Sequence, residues 1–87
     1  MKYELTFLLN EESELANLKK LVESLSGMIL KEEEWGKKNL AYVIKKTRNA
    51  YYFFWEIEID NKNVRELRKK LNFNEKLLRY LLLANND

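Results

Sequence analysis

The sequence predicts an α+β fold, a four-stranded antiparallel sheet with two helices on one of its faces. Some segments show the two-residue apolar alternation of strands, and others repeat apolar residues at the spacings of three and four found in helices. These segments follow one another in the order β-α-β-β-α-β, which is the order of the split β-α-β, ferredoxin-like fold. A chain of 87 residues without proline or low-complexity stretches predicts a single domain over residues 1–87.

The first strand and the first helix are predicted from the residues up to 27. Residues 2–9 alternate between apolar and polar side chains, which is typical of a half-buried strand. Asn10 ends this pattern and is the expected N-cap of the helix, because the acidic residues after it suit the positive end of a helix dipole. Gly27 is the expected C-terminal cap. The apolar stripe of the helix consists of Leu15, Leu18, Leu21, Val22 and Leu25.

The second and third strands are predicted as a long hairpin. The second strand begins at residues 28–30, bends or bulges at Gly36, and resumes at residues 40–44. Residues 45–49 predict a polar turn, and residues 51–59 are the strongest strand of the chain. The helix-facing residues of that strand are expected to be Tyr51, Phe53, Trp55, Ile57 and Ile59.

The last helix and the last strand complete the predicted fold. Residues 60–61 are expected to cap the helix, Asn72 is expected to end it, and residues 77–83 form the final strand. The buried stripe of this helix is predicted to be Val64, Leu67 and Leu71. The face of the sheet without helices is expected to carry Tyr52, Phe54 and Tyr80.

Several chemical classes are excluded by composition. The chain contains no cysteine and no histidine, which removes disulfides, thiolate nucleophiles, the commonest zinc ligands and the usual general base. The acidic run at residues 32–34 predicts a solvated edge, because neighbouring strand residues point to opposite faces. We therefore expect no enzyme activity, no metal and no cofactor. No signal peptide or membrane span is visible, which predicts a cytosolic protein without a membrane partner.

A basic hairpin is the main candidate for a binding surface. No carboxylate lies between Glu34 and Glu56, and cations alternate there with aromatic residues. Cations neutralise phosphates and aromatic rings accept stacked bases, so the pattern is typical of RNA binding. Cations that only keep the hairpin soluble and block edge pairing explain the pattern equally well. The cations are Lys37, Lys38, Lys45, Lys46 and Arg48.

Four segments resemble one family. Tyr3-Glu4 opens the first strand, Gly36 precedes the run 37–46 with Leu-Ala-Tyr at its centre, and an aromatic strand follows at 51–57. Residues 77–82, which contain Arg79, are similar to the last strand of the same family. This combination resembles ribosomal protein six of the bacterial small subunit over nearly the whole chain. Two residues depart from the family pattern within the hairpin, Val43 in place of proline and Ala50 in place of glycine.

The resemblance implies a structural protein of the small ribosomal subunit in the cytoplasm. Members of this family pair with ribosomal protein eighteen of the small subunit, and the pair binds the central domain of the 16S-type ribosomal RNA. The family's RNA contacts correspond here to Lys2, Lys37, Lys38, Lys46 and Arg79. Tyr42 corresponds to a family tyrosine that is either an RNA contact or a packing residue. Lys45 and Arg48 are added to the candidate RNA-binding residues because of their charge.

Two other functions share this order of elements. An RNA-recognition-motif domain would bind short single strands by itself, but residues 48–54 lack the glycine of its third-strand motif. An acyl-phosphate hydrolase would need an arginine before the first helix, where Asn10 and two glutamates stand instead. The RNA-recognition-motif domain is therefore the main alternative.

Overall fold

The structure, a computed structural model, describes residues 1–85 and has the predicted order of elements. The sheet order is β2-β3-β1-β4, and every neighbouring pair is antiparallel. The predicted α+β, ferredoxin-like fold is therefore confirmed. The elements are β1 (Lys2–Leu9), α1 (Glu14–Ser24), β2 (Met28–Ile44), β3 (Thr47–Glu58), α2 (Asn61–Phe73) and β4 (Leu77–Asn85).

The main core lies between the sheet and the two helices. Alternate residues of β1 and β3 point into it, and the ring of Phe7 stacks on Phe53 at 5.3 Å and meets Trp55 edge-on at 4.8 Å. Burial of each such side chain contributes about 1.5–3 kcal/mol before the entropic cost of ordering it. The predicted stripes of both helices supply Leu18, Val22 and other residues of the same core. The helix-facing residues predicted for β3 and the apolar stripes predicted for both helices are therefore confirmed.

Helix α1 begins later than its sequence predicts. Its N-cap is Ser13, and Asn10 lies outside the helix, so the prediction for Asn10 is wrong. The reason is that residues 11–13 form their own turn, in which the amide of Glu14 donates to the carbonyl of Glu11 at 3.2 Å. At the other end Ser26 takes the left-handed conformation, with φ of 62°.

Gly27 is not the C-cap of α1 as predicted, because the C-cap is Leu25 and Gly27 lies two residues beyond it. Its amide donates to the carbonyl of Val22 at 2.9 Å, which closes the helix end. A Cβ atom at position 27 would lie 2.8 Å from Cγ1 of Val22. The glycine is therefore required by close approach, and not by a positive φ.

The β2–β3 hairpin is longer and more tightly turned than predicted. Gly36 has φ of 84°, and Trp35 is the extra residue between the paired residues Glu34 and Gly36, so the predicted bulge is confirmed. The predicted turn over residues 45–49 is too long, because Ile44 already pairs with Thr47. Two residues make the turn, Lys45 and Lys46, and both have positive φ, which is the geometry of a type I′ hairpin turn.

Two boundaries and one orientation differ near the end of the described chain. Asp60 caps α2 as predicted by accepting from the amide of Lys62 at 3.1 Å, but the helix runs to Phe73 and its C-cap is Asn74, not Asn72. Strand β4 also continues to residue 85. Tyr80 faces the helices and not the open side of the sheet, because it pairs with Phe7. Its hydroxyl donates to Oδ1 of Asn72 at 2.8 Å.

Candidate nucleic-acid interface

The tip of the β2–β3 hairpin bends over the face of the sheet that carries no helix. We call residues 40–48 the hairpin arm and this face of the sheet the open face. The regular ladder stops at the pair Asn39–Asn49 and resumes only at Ile44–Thr47, so four residues of β2 stand opposite one residue of β3. This mismatch forces the arm to curve, which is the usual consequence of extra residues in one strand.

A second, smaller core fills the space beneath the arm. Leu8, Ala50 and Leu78 are its buried members, and Leu40 and Ile44 of the arm pack against them together with Tyr52. Leu78 reaches this core because a register shift in β4 separates it from Leu77, which faces the helices. This core was not predicted from the sequence. The sequence feature that indicates it is a break in the two-residue apolar and polar alternation, since residues 7–9 and residues 77–78 are consecutive apolar residues.

Two polar contacts connect the arm to the opposite edge of the sheet. The ammonium of Lys45 donates to the carbonyl oxygen of Leu77 at 3.1 Å. The guanidinium carbon of Arg79 lies 5.4 Å from the ring centroid of Tyr42, a distance typical of a cation–π contact. Arg79 is therefore brought next to the arm cations, although β4 and β2 form the two edges of the sheet.

The remaining arm cations are exposed. Lys46 lies at the turn, and Arg48 lines a shallow concavity of about 320 Å³ together with residues 39–43. Lys38 projects from the open face beside the arm, with its ammonium 5.7 Å from the ring centroid of Tyr52. The structure thus gathers six of the eight candidate residues at one end of the open face. These six are Lys38, Tyr42, Lys45, Lys46, Arg48 and Arg79.

The other two candidate residues lie apart from this group. Lys37 neighbours Lys38 in β2 but points to the helix side, where its ammonium lies 5.6 Å from the ring centroid of Tyr51. Lys2 pairs with Glu58 at the far end of the sheet, whereas Leu8 lies beneath the arm. Six residues of strand separate positions 2 and 8, which is roughly 20 Å.

The far end of the open face is acidic and partly apolar. Trp35 is 43% exposed, and its ring stacks on Phe54 at 5.9 Å with an interplanar angle of 2°. Leu81 and Leu83 of β4 are 56% and 50% exposed on the same face. Alternation in the sequence does not predict that Trp35 lies on the open face, because Trp35 is the extra residue of the bulge, where the alternation of faces is interrupted. The carboxylates at this end are Glu4, Glu33, Glu56 and Glu58.

One of these carboxylates is held by its neighbours. The indole nitrogen of Trp35 donates to Glu33 at 2.9 Å, and the ammonium of Lys31 lies 3.1 Å from the same side chain. The hydrogen bond from Trp35, followed by that from Lys31, lowers the pKa of Glu33 below its ordinary value. In return the hydrogen bond to Glu33 raises the pKa of Lys31. Each shift favours the charged form of its group and widens the pH range over which the Lys31–Glu33 ion pair persists.

Residues 1–85 contain no group of three or more acidic, histidine or cysteine residues that could hold a metal ion. None of the helices described in the structure is long and apolar enough to cross a membrane.

Comparisons with known proteins agree on one family. The model of the family described as Ribosomal protein S6 matches residues 2–84. The small ribosomal subunit protein bS6 of Buchnera aphidicola is 32% identical over 88 residues, which cover 94% of this chain and 69% of that protein. The bS6 protein of Fusobacterium nucleatum is 36% identical over 89 residues, which cover 94% of this chain and 95% of that protein. The crystal structure of 30S ribosomal protein S6 from Thermotoga maritima has a TM-score of 0.83 at 26% identity, covering 97% of this chain and 86% of that one.

Proposed function

The chain belongs to the ribosomal protein S6 family, and from this premise we propose that it binds small-subunit ribosomal RNA with the arm end of its open face. Family membership makes the protein a structural constituent of the small ribosomal subunit and not an enzyme. The predicted family and the predicted location on the cytoplasmic ribosome are confirmed in the same way. What we propose beyond this is which surface of the protein binds the RNA and which surface binds the protein partner.

One observation carries the proposal: cations from β2, β3, β4 and the turn lie at one end of the open face, and none of them forms an ion pair within 4.0 Å among residues 1–85. In the described part of the chain, the ion pairs within 4.0 Å are Lys19–Glu32, Lys31–Glu33 and Lys76–Glu11, and none includes an arm cation. Their charges are therefore available to phosphates, whose neutralisation releases counterions and favours binding.

The proposal also includes a protein partner, ribosomal protein eighteen, which would cover the far end of the open face. Leu81, Leu83 and the Trp35–Phe54 stack leave apolar surface exposed there. Exposed apolar surface bordered by charges is typical of protein interfaces. The surrounding carboxylates favour a partner with positive charge at this position. In this arrangement, RNA and protein bind to neighbouring parts of one face, the central domain of 16S-type RNA at the arm and the protein beyond it.

The RNA contact is tested by charge reversal. The variant Lys37→Glu, Lys38→Glu, Lys46→Glu should bind a central-domain RNA fragment, with ribosomal protein eighteen present, far more weakly than the unmodified protein. The slope of log affinity against log salt should fall by about two to three. A matched control reverses Lys62, Arg65 and Lys69 on the exposed side of α2, which changes the net charge equally. Equal losses in both variants, or no loss in the first, would contradict the proposal.

The partner contact requires a separate variant. Leu83→Glu adds a charge at an exposed position, so it should preserve folding while it weakens association with ribosomal protein eighteen. Phe73→Glu at the end of α2, where Phe73 is 74% exposed, is the control and should leave association unchanged. Tight binding of short single-stranded RNA without the partner would instead support the RNA-recognition-motif alternative.

A further inference from the structure

We propose that Tyr42 is a positioning residue for Arg79, and that closure of the hairpin arm assembles a phosphate-binding cluster from otherwise separate strands. This inference rests on the proposed RNA-binding function, because it explains how the same surface is formed. It adds a role for Tyr42 that does not require contact with the RNA.

Distance across the sheet is the first argument. Strands β2 and β4 are the two edges of the sheet, with β3 and β1 between them. Adjacent strands lie about 4.8 Å apart, so residues on the two edges of a flat sheet would be separated by roughly 14 Å. The 5.4 Å contact between Tyr42 and Arg79 therefore exists only because the arm crosses the open face.

The contacts that hold the arm closed are the second argument. Leu40 and Ile44 pack on the small core formed by Leu8, Ala50 and Leu78. The hydrogen bond from Lys45 to the carbonyl of Leu77 holds the turn beside the start of β4. Apolar packing thus brings the arm down onto the sheet, while the polar contacts determine where its tip lies. The side chains that hold the arm closed form a cluster separate from the main core between the sheet and the helices.

The geometry of Arg79 is the third argument. A guanidinium that lies against a ring keeps its N–H groups directed outward, where they can donate to a phosphate in a bidentate manner. An arginine without such a contact would occupy many rotamers, and binding would have to order it. Arg79 is exposed, and it is in none of the ion pairs within 4.0 Å that occur among residues 1–85. Tyr42 therefore orients a cation that remains available to a ligand.

The test is a double-mutant cycle on RNA affinity, measured with ribosomal protein eighteen present. Tyr42→Leu keeps apolar bulk and removes the ring, and it should weaken binding about two- to fivefold, the range expected for a surface cation–π contact. Tyr42→Phe keeps the ring and should bind the RNA with nearly the affinity of the unmodified protein. In an Arg79→Leu background, Tyr42→Leu should have little further effect, since its role acts through Arg79. Equal losses in both backgrounds would overturn the positioning role.

Failure of the inference can be distinguished from failure of the proposed function. If the lysine reversals at 37, 38 and 46 leave RNA binding intact, the proposed function fails. If they weaken binding while Tyr42→Leu binds like the unmodified protein, only the positioning role fails. A measurement on the unmodified protein avoids dependence on the folding of any variant: the Cδ protons of Arg79 should resonate upfield of their usual NMR positions because of the ring current of Tyr42. Unshifted Cδ protons would overturn the inference.

Discussion

The buried carboxylate of Glu14 accepts a hydrogen bond of 2.7 Å from the side-chain amide of Asn74. Glu14 is the first residue of α1 and is only 7% exposed, and Asn74 is the C-cap of α2. Asn17 donates to the same carboxylate at 2.8 Å. Because a buried charge is tolerated only when it is hydrogen-bonded, these amides permit the acid to remain in the interior and connect the two helices.

Loss of this connection should destabilise the fold. Glu14→Ala leaves two amide donors without their acceptor, and Asn74→Ala leaves the carboxylate with one donor fewer. Each should lower the free energy of unfolding by about 1–3 kcal/mol in chemical denaturation. The control is Glu12→Ala, an exposed acid two residues earlier, which should change stability by less than about 0.5 kcal/mol. Equal effects of Glu14→Ala and Glu12→Ala would contradict the structural role.

The hairpin turn predicts opposite effects on stability and on binding. Lys46 has φ of 64°, a left-handed conformation that costs residues other than glycine about 1–2 kcal/mol. Lys46→Gly should therefore raise the free energy of unfolding by roughly 0.5–1 kcal/mol, after allowance for the flexibility of glycine in the unfolded chain. It should also weaken RNA binding, because a cation is lost. Lys46→Ala should weaken binding equally without stabilising the protein, and a stabilising effect of alanine would refute this explanation.

The pH dependence of Glu33 follows from its hydrogen bonds. Because its folded-state pKa lies below the ordinary value of 4.5, its contribution to stability is fully present above that value. The contribution is lost as pH falls from 4.5 through the lowered folded-state pKa. In an NMR titration the side-chain carboxyl of Glu33 should have a midpoint below 4.5, and the indole N–H of Trp35 should shift with the same midpoint.

Variants of the two donors separate their effects on Glu33. Trp35→Phe removes the largest single cause of the lowered pKa of Glu33 and should move the midpoint upward, toward 4.5. Lys31→Gln removes the positive charge of Lys31, which lowers the same pKa through a hydrogen bond and a Coulombic attraction, so it should also move the midpoint upward. A midpoint at or above 4.5 in the unmodified protein would show that the hydrogen bond from Trp35 does not form in solution.

Two neighbouring lysines should differ in their effect on RNA binding. Lys38 lies on the open face beside the arm, whereas Lys37 points to the helix side. If RNA approaches the open face, Lys38→Ala should lower affinity and reduce the salt slope by about one, and Lys37→Ala should have a smaller effect. The two variants have the same composition and net charge, so each is the control for the other. A larger loss for Lys37→Ala would place the RNA on the opposite side of the hairpin.

The sequence alone determined the order of elements, the helix-facing residues of β3, the apolar stripes of the helices and the bulge at Gly36. These features depend on local periodicity and on the backbone preferences of single residues, and both can be read from the amino-acid sequence. The family could also be recognised from the sequence, because its most specific residues lie in one continuous segment around Leu40-Ala41-Tyr42. The ends of α1 and α2 were predicted less well, since several neighbouring polar residues were equally suitable caps.

Only the tertiary structure decided how the candidate residues are grouped. The contact between Tyr42 and Arg79 depends on the curvature of the hairpin arm, and that curvature depends on packing against Leu8 and Leu78 from two distant strands. The structure likewise decided that Lys38, and not Lys37, lies on the open face, and it separated Lys2 from the arm. Alternation gives the face of a side chain within a strand, but a bulge reverses that assignment, and the bending of a strand across the sheet follows from long-range packing that no local pattern encodes.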